Sequence, residues 1–234
     1  MAGDNLHIAD GWPERLARAG LGRLDALFGT REGRVVSRHK RGQTRRLMLP
    51  DGAVLYLKRD HHTMLKEIVR QLLRGCRPEP LSEQERLAFE RVSALGLRTP
   101  RAVAWGQQRR LGLPWRAALL MTAVEGESLR EILRREAPPG ERLAALRAAG
   151  QAVRGLVEAG LVWLDLLPRH VLLDAESRVG LIDLERLRSR GRARRRMERR
   201  VLRFSLLLRG LGAVEAEVSA FLTAAGYRYV PEGD

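Results

Sequence analysis

Residues 161–187 read LVWLDLLPRHVLLDAESRVGLIDLERL, and inside them two apolar runs, Val171–Leu173 and Val179–Ile182, flank the polar turn 174–178. Short apolar runs around a polar turn predict a β-hairpin with buried strands. Asp165 stands in the loop before the first strand, and Asp183 follows the second strand 18 positions later. A hairpin folds the chain back on itself, so both carboxylates reach the same end of the ribbon. Paired acids at one strand end suit acid/base chemistry or metal holding. Asp is equally at home in loops and at strand ends, so the pair alone leaves both readings open.

The remaining 207 of the 234 residues read as support for that hairpin. A hydrophobic share of 44% with 30% charged residues describes a globular composition with chain enough for a proper core. The longest predominantly apolar run, 117–124, is strand-sized, so no membrane span is expected. The start MAGDNLHIADGW has neither a basic head nor an apolar stretch, and Cys76 is the lone cysteine. No export signal and no intrachain disulfide are therefore expected, which suits the cytoplasm. The net charge of +15 favours anionic partners: nucleic acid, phosphorylated ligands or an acidic membrane surface. Of the 43 basic residues only Lys40, Lys58 and Lys66 are lysines, all in the first third of the chain.

The first half reads as a sheet. Spaced leucines between Trp12 and Phe28 predict a short helix or a pair of helical turns. Strands are expected over 34–38, 44–49 and 53–59, broken by a glycine-containing turn at 39–42 and by Pro50-Asp51-Gly52. Along the third strand Val54, Tyr56 and Lys58 share one face, Leu55 and Leu57 the other. After a short helix over 64–74, Ser82 opens a second one running to Leu95. Ser82-Glu83-Gln84-Glu85 has the spacing of a capping box, yet Glu85 also heads the buried stripe of Ala88, Phe89, Val92 and Leu95. From there it can reach a strand lysine. Two more strands, 101–106 and 117–122, are separated by a loop containing Pro114.

After residue 122 helical patterns take over. The chain is therefore divided into a β-rich lobe over 1–122, a connector over 123–126 (Ala123-Val124-Glu125-Gly126) and a helical lobe over 127–234. Helices are expected over 128–136 and 141–159, the second weakened by Gly150. Residues 186–203 hold ten arginines against one acid, Glu198, with Met197, Val201, Phe204 and Leu208 at helical steps. A helix with its arginines outward is expected there, then a last one ending at Gly226.

Together, a meander whose third strand carries Tyr-Leu-Lys, a helix with an inward Glu, a connector, a helical lobe and a hairpin flanked by two Asp resemble the protein-kinase fold. The stretches AVLYLKR, SEQERLAFERVSALGLRTPRAVAWG, LLMTAVEGESL, LDLLPRHVLLD and GLIDLERLR resemble most the small bacterial lipopolysaccharide kinases, the Kdo/heptose kinase group. The resemblance implies an α+β, two-lobed kinase using ATP and Mg²⁺. By position, Lys58 looks like the lysine on the α- and β-phosphates, Glu85 its orienting partner, Asp165 the base and Asp183 the principal metal ligand. His170 falls where protein kinases place a metal-binding Asn; a hydrogen-bonding role suits it nearly as well. Tyr56, Gly42, Ala123 and Glu125 fall where the nucleotide would lie.

Some motifs depart from the protein-kinase pattern. The catalytic triplet is Trp163-Leu164-Asp165, the metal triplet Asp183-Leu184-Glu185, and only Gly42, beside Lys40 and Arg41, stands in for a glycine-rich loop. The resemblance implies a lipopolysaccharide inner-core sugar, heptose or Kdo, or another anionic acceptor beside the arginine run. It also implies a peripheral position at the cytoplasmic face of the inner membrane, where each basic residue adds ~1 kcal/mol of attraction. A protein-serine or small-molecule kinase, or an ATP-binding regulator without activity, are the alternatives. Nucleic acid fits less well, because the basic segment's one aromatic, Phe204, lies on the apolar stripe.

Overall fold

The structure is a computed structural model, and it describes residues 6–39, 42–73, 75–135, 137–189 and 193–228. The expected basic turn at Lys40 and Arg41 lies outside the described residues. The chain divides into two compact units, Met1–Leu87 with Pro100–Ala123, and Ala88–Thr99 with Val124–Asp234.

The first unit runs β1 (Leu6–Ile8), α1 (Pro13–Arg18), α2 (Leu24–Gly29), β2 (Arg34–His39), β3 (Gly42–Met48), β4 (Val54–Asp60) and α3 (Leu65–Leu72). The start of α4 (Leu81–Ser93) follows, then β5 (Ala102–Arg110) and β6 (Leu113–Thr122). Its sheet is antiparallel with the order β1-β5-β6-β4-β3-β2. One face is covered by α1, α2 and the link between them, whose Leu16, Leu21, Leu24 and Leu27 pack with Leu55 and Leu57 of β4. Each buried leucine contributes about 1.5–3 kcal/mol. That burial holds two six-residue helices that could not persist alone.

Strand β4 ends in three consecutive buried charges, two answered by α4 and one by the end of α2. Lys58 pairs with Glu85 of α4. Arg59, on the α1–α2 face, donates to the carbonyls of Phe28 and Thr30 and so closes the C-terminal end of α2. Burial, then the nearby charge of Arg45, lowers its guanidinium pKa from the ordinary value. Asp60 accepts from the backbone N–H of Ser82 in the first turn of α4. The capping box expected at Ser82 is thus replaced: the helix begins a residue earlier, Asp60 caps it, and Glu85 is turned to the sheet.

Two further expectations are corrected here. Pro114 is in a strand and not in a loop, because the β5–β6 hairpin turns tightly at Leu111 and Gly112. Pairing of β6 with β4 begins only at Ala117, so the missing N–H of Pro114 breaks no ladder bond on that side. The three-residue edge strand β1, paired to β5, was too short for a sequence pattern to reveal.

The second unit holds the rest of α4, then β7 (Glu127–Ser128), α5 (Leu129–Arg134), α6 (Pro139–Glu158), β8 (Leu161–Trp163), β9 (Val171–Leu173) and β10 (Val179–Leu181). After these come β11 (Leu187–Ser189), α7 (Ala193–Gly210) and α8 (Glu215–Ala224). Ser128 caps α5, with Glu131 completing a capping box. The expected hairpin forms between β9 and β10, and β7 extends it on the other side of β9. Gly126 leads into β7 at φ +130°, with its α-carbon so close to β9 that a Cβ would lie 2.5 Å from the Leu173 carbonyl oxygen. Strand β11 was hidden inside the arginine run; it pairs with β8 and starts α7 later than expected. Phe204 of α7 packs against Phe221 of α8, ring centres 4.9 Å apart.

Candidate active site

In the first unit, the sheet alternation that sends Leu55 and Leu57 to the α1–α2 core sends Tyr56 and Lys58 to the opposite face. There Lys58 Nζ donates to Glu85 Oε2 at 2.7 Å, with 6% and 1% of the two residues exposed. Taking two charges out of water costs several kcal/mol per ion. A pair so deep is therefore weak evidence for stability and better evidence for a positioned amine. Tyr56 lies half-buried one step along the same face. Gly42, the expected phosphate-covering glycine, is the first residue of β3 and stands opposite Asp60. A Cβ on it would lie 1.7 Å from the Arg59 carbonyl oxygen, so strand approach by itself demands glycine here.

In the second unit, Asp165, His170 and Asp183 form one network. A 3₁₀ turn, Pro168–His170, lifts the chain from the loop into β9 and buries the imidazole. His170 Nδ1 lies 3.0 Å from the Asp165 carbonyl oxygen. A carbonyl only accepts, so Nδ1 carries the proton and Nε2 presents a lone pair. That lone pair accepts from Arg169 Nε at 3.0 Å and faces Asp183 Oδ2 at 3.4 Å. Asp183 takes the left-handed conformation, φ +59°, and its carbonyl accepts from Nε1 of the buried Trp163 at 3.3 Å. Such backbone costs of order 1 kcal/mol for a non-glycine residue, and Asp is among those that tolerate it.

Arg186 was counted only as part of the arginine run, and here it acts alone: its guanidinium donates to Asp165 Oδ1 at 2.8 Å. The other unforeseen tie is Arg98, which bonds Asp174 in the hairpin turn at 2.6 Å and the Glu125 carbonyl at 2.8 Å. The connector residue Glu125 is thus held through its backbone while its side chain stays exposed, and Ala123 is half-buried.

No cluster of three or more metal-binding side chains occurs among the described residues. Mg²⁺ does not require one: it keeps several waters and takes one or two carboxylates with substrate phosphates. The Asp183 carboxylate, 39% exposed and facing a histidine lone pair, fits such a partial donor set. Two acceptors 3.4 Å apart are more comfortable with positive charge between them.

Comparison with known proteins agrees with the resemblance drawn from the motifs. A solved WaaP, in complex with acyl carrier protein, superposes with a TM-score of 0.71 at 20% identity, covering 95% of this chain and 88% of that one. A MAP kinase of Leishmania major, LmaMPK10, gives a TM-score of 0.43 at 16% identity over 65% of this chain and 45% of its own. No curated protein matches. The WaaP superposition shows the fold, a kinase-like one with an antiparallel sheet. The pattern of the lipopolysaccharide kinase (Kdo/WaaP) family matches residues 26–225, most of the chain, and with that extent of match the chain belongs to this family of kinases.

Proposed function

We propose that this lipopolysaccharide core kinase transfers the γ-phosphoryl group of ATP to a sugar hydroxyl of the inner core, heptose or Kdo, with Asp165 as the base. The observation that carries the reading is the cluster in which one imidazole hydrogen-bonds the Asp165 backbone carbonyl and faces the Asp183 carboxylate at 3.4 Å. Lys58, buried against Glu85, holds the α- and β-phosphates, and Tyr56, Gly42, Ala123 and Glu125 border the nucleotide. The acceptor oxygen attacks the γ-phosphorus, its proton passes to an Asp165 carboxylate oxygen, and the bond to the β-phosphate oxygen breaks with its electrons leaving on ADP. Asp183 would be the oxygen ligand for Mg²⁺, and His170 would either orient it or complete the set through Nε2. When bound, the cation would offset charge on the phosphates.

The surface charge supports an enzyme that works against anionic glycolipid. No helix among the described residues is long and apolar enough to cross a membrane, so attachment at the cytoplasmic face would be peripheral. WaaP was captured with an acyl carrier protein, and a carrier of that class is proposed as a partner here, to be tested by co-purification.

The direct test is transfer from γ-labelled ATP to core oligosaccharide. Wild-type protein should label the sugar, and Asp165→Asn should lose about 10²–10⁴-fold in rate while binding ATP as before. Undiminished turnover in that variant would remove Asp165 from the role.

A further inference from the structure

The second unit carries a basin of about 920 Å³ that the proposed chemistry does not use. Its wall is Arg188 of β11 with Arg195, Arg196, Arg199 and Arg200 of α7, against a single acid, Glu198. Its floor includes Val162 and Leu164, and Leu164 is the chain neighbour of Asp165. The concentration follows from two local facts. On α7 the residues Met197, Val201, Phe204 and Leu208 are buried, which turns the intervening arginines outward. On β11, pairing with β8 sets Arg188 opposite Val162.

Eight arginines elsewhere, Arg98, Arg109, Arg116, Arg135, Arg142, Arg154, Arg178 and Arg209, each face a carboxylate. By contrast Arg195, Arg196, Arg199 and Arg200 have no ion-pair partner among the described residues. Several guanidinium groups gathered around one carboxylate keep an excess of positive charge and repel one another, and the arrangement is relieved when a polyanion enters. Guanidinium forks match phosphate and carboxylate oxygens two at a time.

We propose that this basin seats anionic groups already present on the acceptor, the phosphates of a phosphorylated sugar head, so that the hydroxyl to be modified lies beside Asp165. The idea rests on Asp165 being the base, as proposed above. It adds a requirement that the base alone does not impose: the acceptor must be phosphorylated before this enzyme acts on it. A reaction that places phosphate on the same saccharide must therefore come earlier. Apolar surface continues from the basin, since Leu202 lines it and Leu206 follows one helical turn on, both more than half exposed. That suits an acceptor whose phosphates sit next to a hydrocarbon part.

The test is calorimetric titration of the full chain without nucleotide, using glucose 1,6-bisphosphate as probe and glucose as its neutral control. Arg195→Glu with Arg199→Glu changes the basin, and Arg91→Glu with Arg134→Glu makes the same charge change at exposed positions outside it. The wild type should bind the bisphosphate and not glucose. Affinity should fall at least ~10-fold in the basin variant and less than ~2-fold in the control. The milder Arg195→Gln with Arg199→Gln should show the same order if charge reversal disturbs folding. No bisphosphate binding by the wild type, or equal weakening in both variants, would overturn the proposal. A third arm measures sedimentation with phosphatidylglycerol vesicles. If the basin variant loses vesicle binding but keeps its bisphosphate affinity, the basin serves the bilayer surface and the proposal fails. Asp165→Asn should bind the bisphosphate normally, so a failed transfer assay and a failed basin are separately visible.

Discussion

Arg186 donates to the Asp165 carboxylate at 2.8 Å, and strand pairing is what puts it there. Leu187 stands opposite Trp163 across β11 and β8, and the Arg186 carbonyl accepts from the Leu164 N–H. The neighbours of Asp165 in its own loop, Leu164, Leu166 and Leu167, bring no cation. The guanidinium of Arg186, just before β11, supplies it and holds the Asp165 carboxylate in place.

The pair is half exposed, so its contribution to stability is within about 1 kcal/mol. Arg186→Ala should leave the melting temperature nearly unchanged and lower kcat about 10-fold, with KM for ATP unaltered. Arg186→Lys should recover part of that loss. A kcat equal to wild type in Arg186→Ala would make the contact incidental.

Breaking the Lys58–Glu85 pair from one side should be costly. Lys58→Met leaves a buried carboxylate without its ammonium, a loss of about 3–5 kcal/mol. The double variant Lys58→Met/Glu85→Leu should regain most of that stability and remain inactive. Urea unfolding separates the two effects; a double variant no more stable than the single would mean that Glu85 is held by other groups.

Acid should loosen the hairpin turn and α5 in a defined direction. Burial works against the charge of Asp174, yet hydrogen bonds from the Arg178 N–H and guanidinium, with the charges of Arg98 and Arg178, hold its pKa below 3.8. Hydrogen bonds from the Ser128 hydroxyl and N–H hold Glu131 below 4.5. A depressed folded-state value means that the unfolded chain binds more protons in the window beneath those figures. The stabilisation is therefore complete above them and is lost as pH falls through the folded-state values. Asp174→Asn and Glu131→Gln should be less stable than wild type near about pH 6 and converge on it near about pH 2, read from urea midpoints.

Gly150 has a packing reason that its place in a helix conceals. A Cβ there would lie 2.5 Å from the Phe221 carbonyl oxygen and 2.7 Å from the Ala224 methyl group, so α6 and α8 touch through the bare backbone. Gly150→Ala gains about 1 kcal/mol of helix propensity. It loses about 1–3 kcal/mol to overpacking, so the variant should be destabilised on balance. A raised melting temperature would show that α8 can move aside.

What could be read without coordinates was whatever short-range pattern controls. The β9–β10 hairpin, the Ser128 cap and the buried stripe of α7 follow from residues within a few positions of one another. The misreadings come from partners distant in the chain. Ser82 and Glu85 have perfect capping-box spacing, and only Asp60, 22 positions earlier, displaces Glu85 from that duty. Likewise β11 exists because β8 pairs with it, and nothing in Leu187-Arg188-Ser189 announces a strand. The motifs single out Asp165, His170 and Asp183 as candidates, but the contacts of the imidazole and the reach of Arg186 depend on register.

The central claim is that this chain phosphorylates the lipopolysaccharide core through Asp165. Mass spectrometry of core oligosaccharide from a deletion strain, and from the same strain carrying wild-type or Asp165→Asn protein, tests it most directly. One phosphate should vanish on deletion, return with the wild type and stay absent with the variant. Core oligosaccharide of unchanged mass in the deletion strain, or full restoration by Asp165→Asn, would contradict the account.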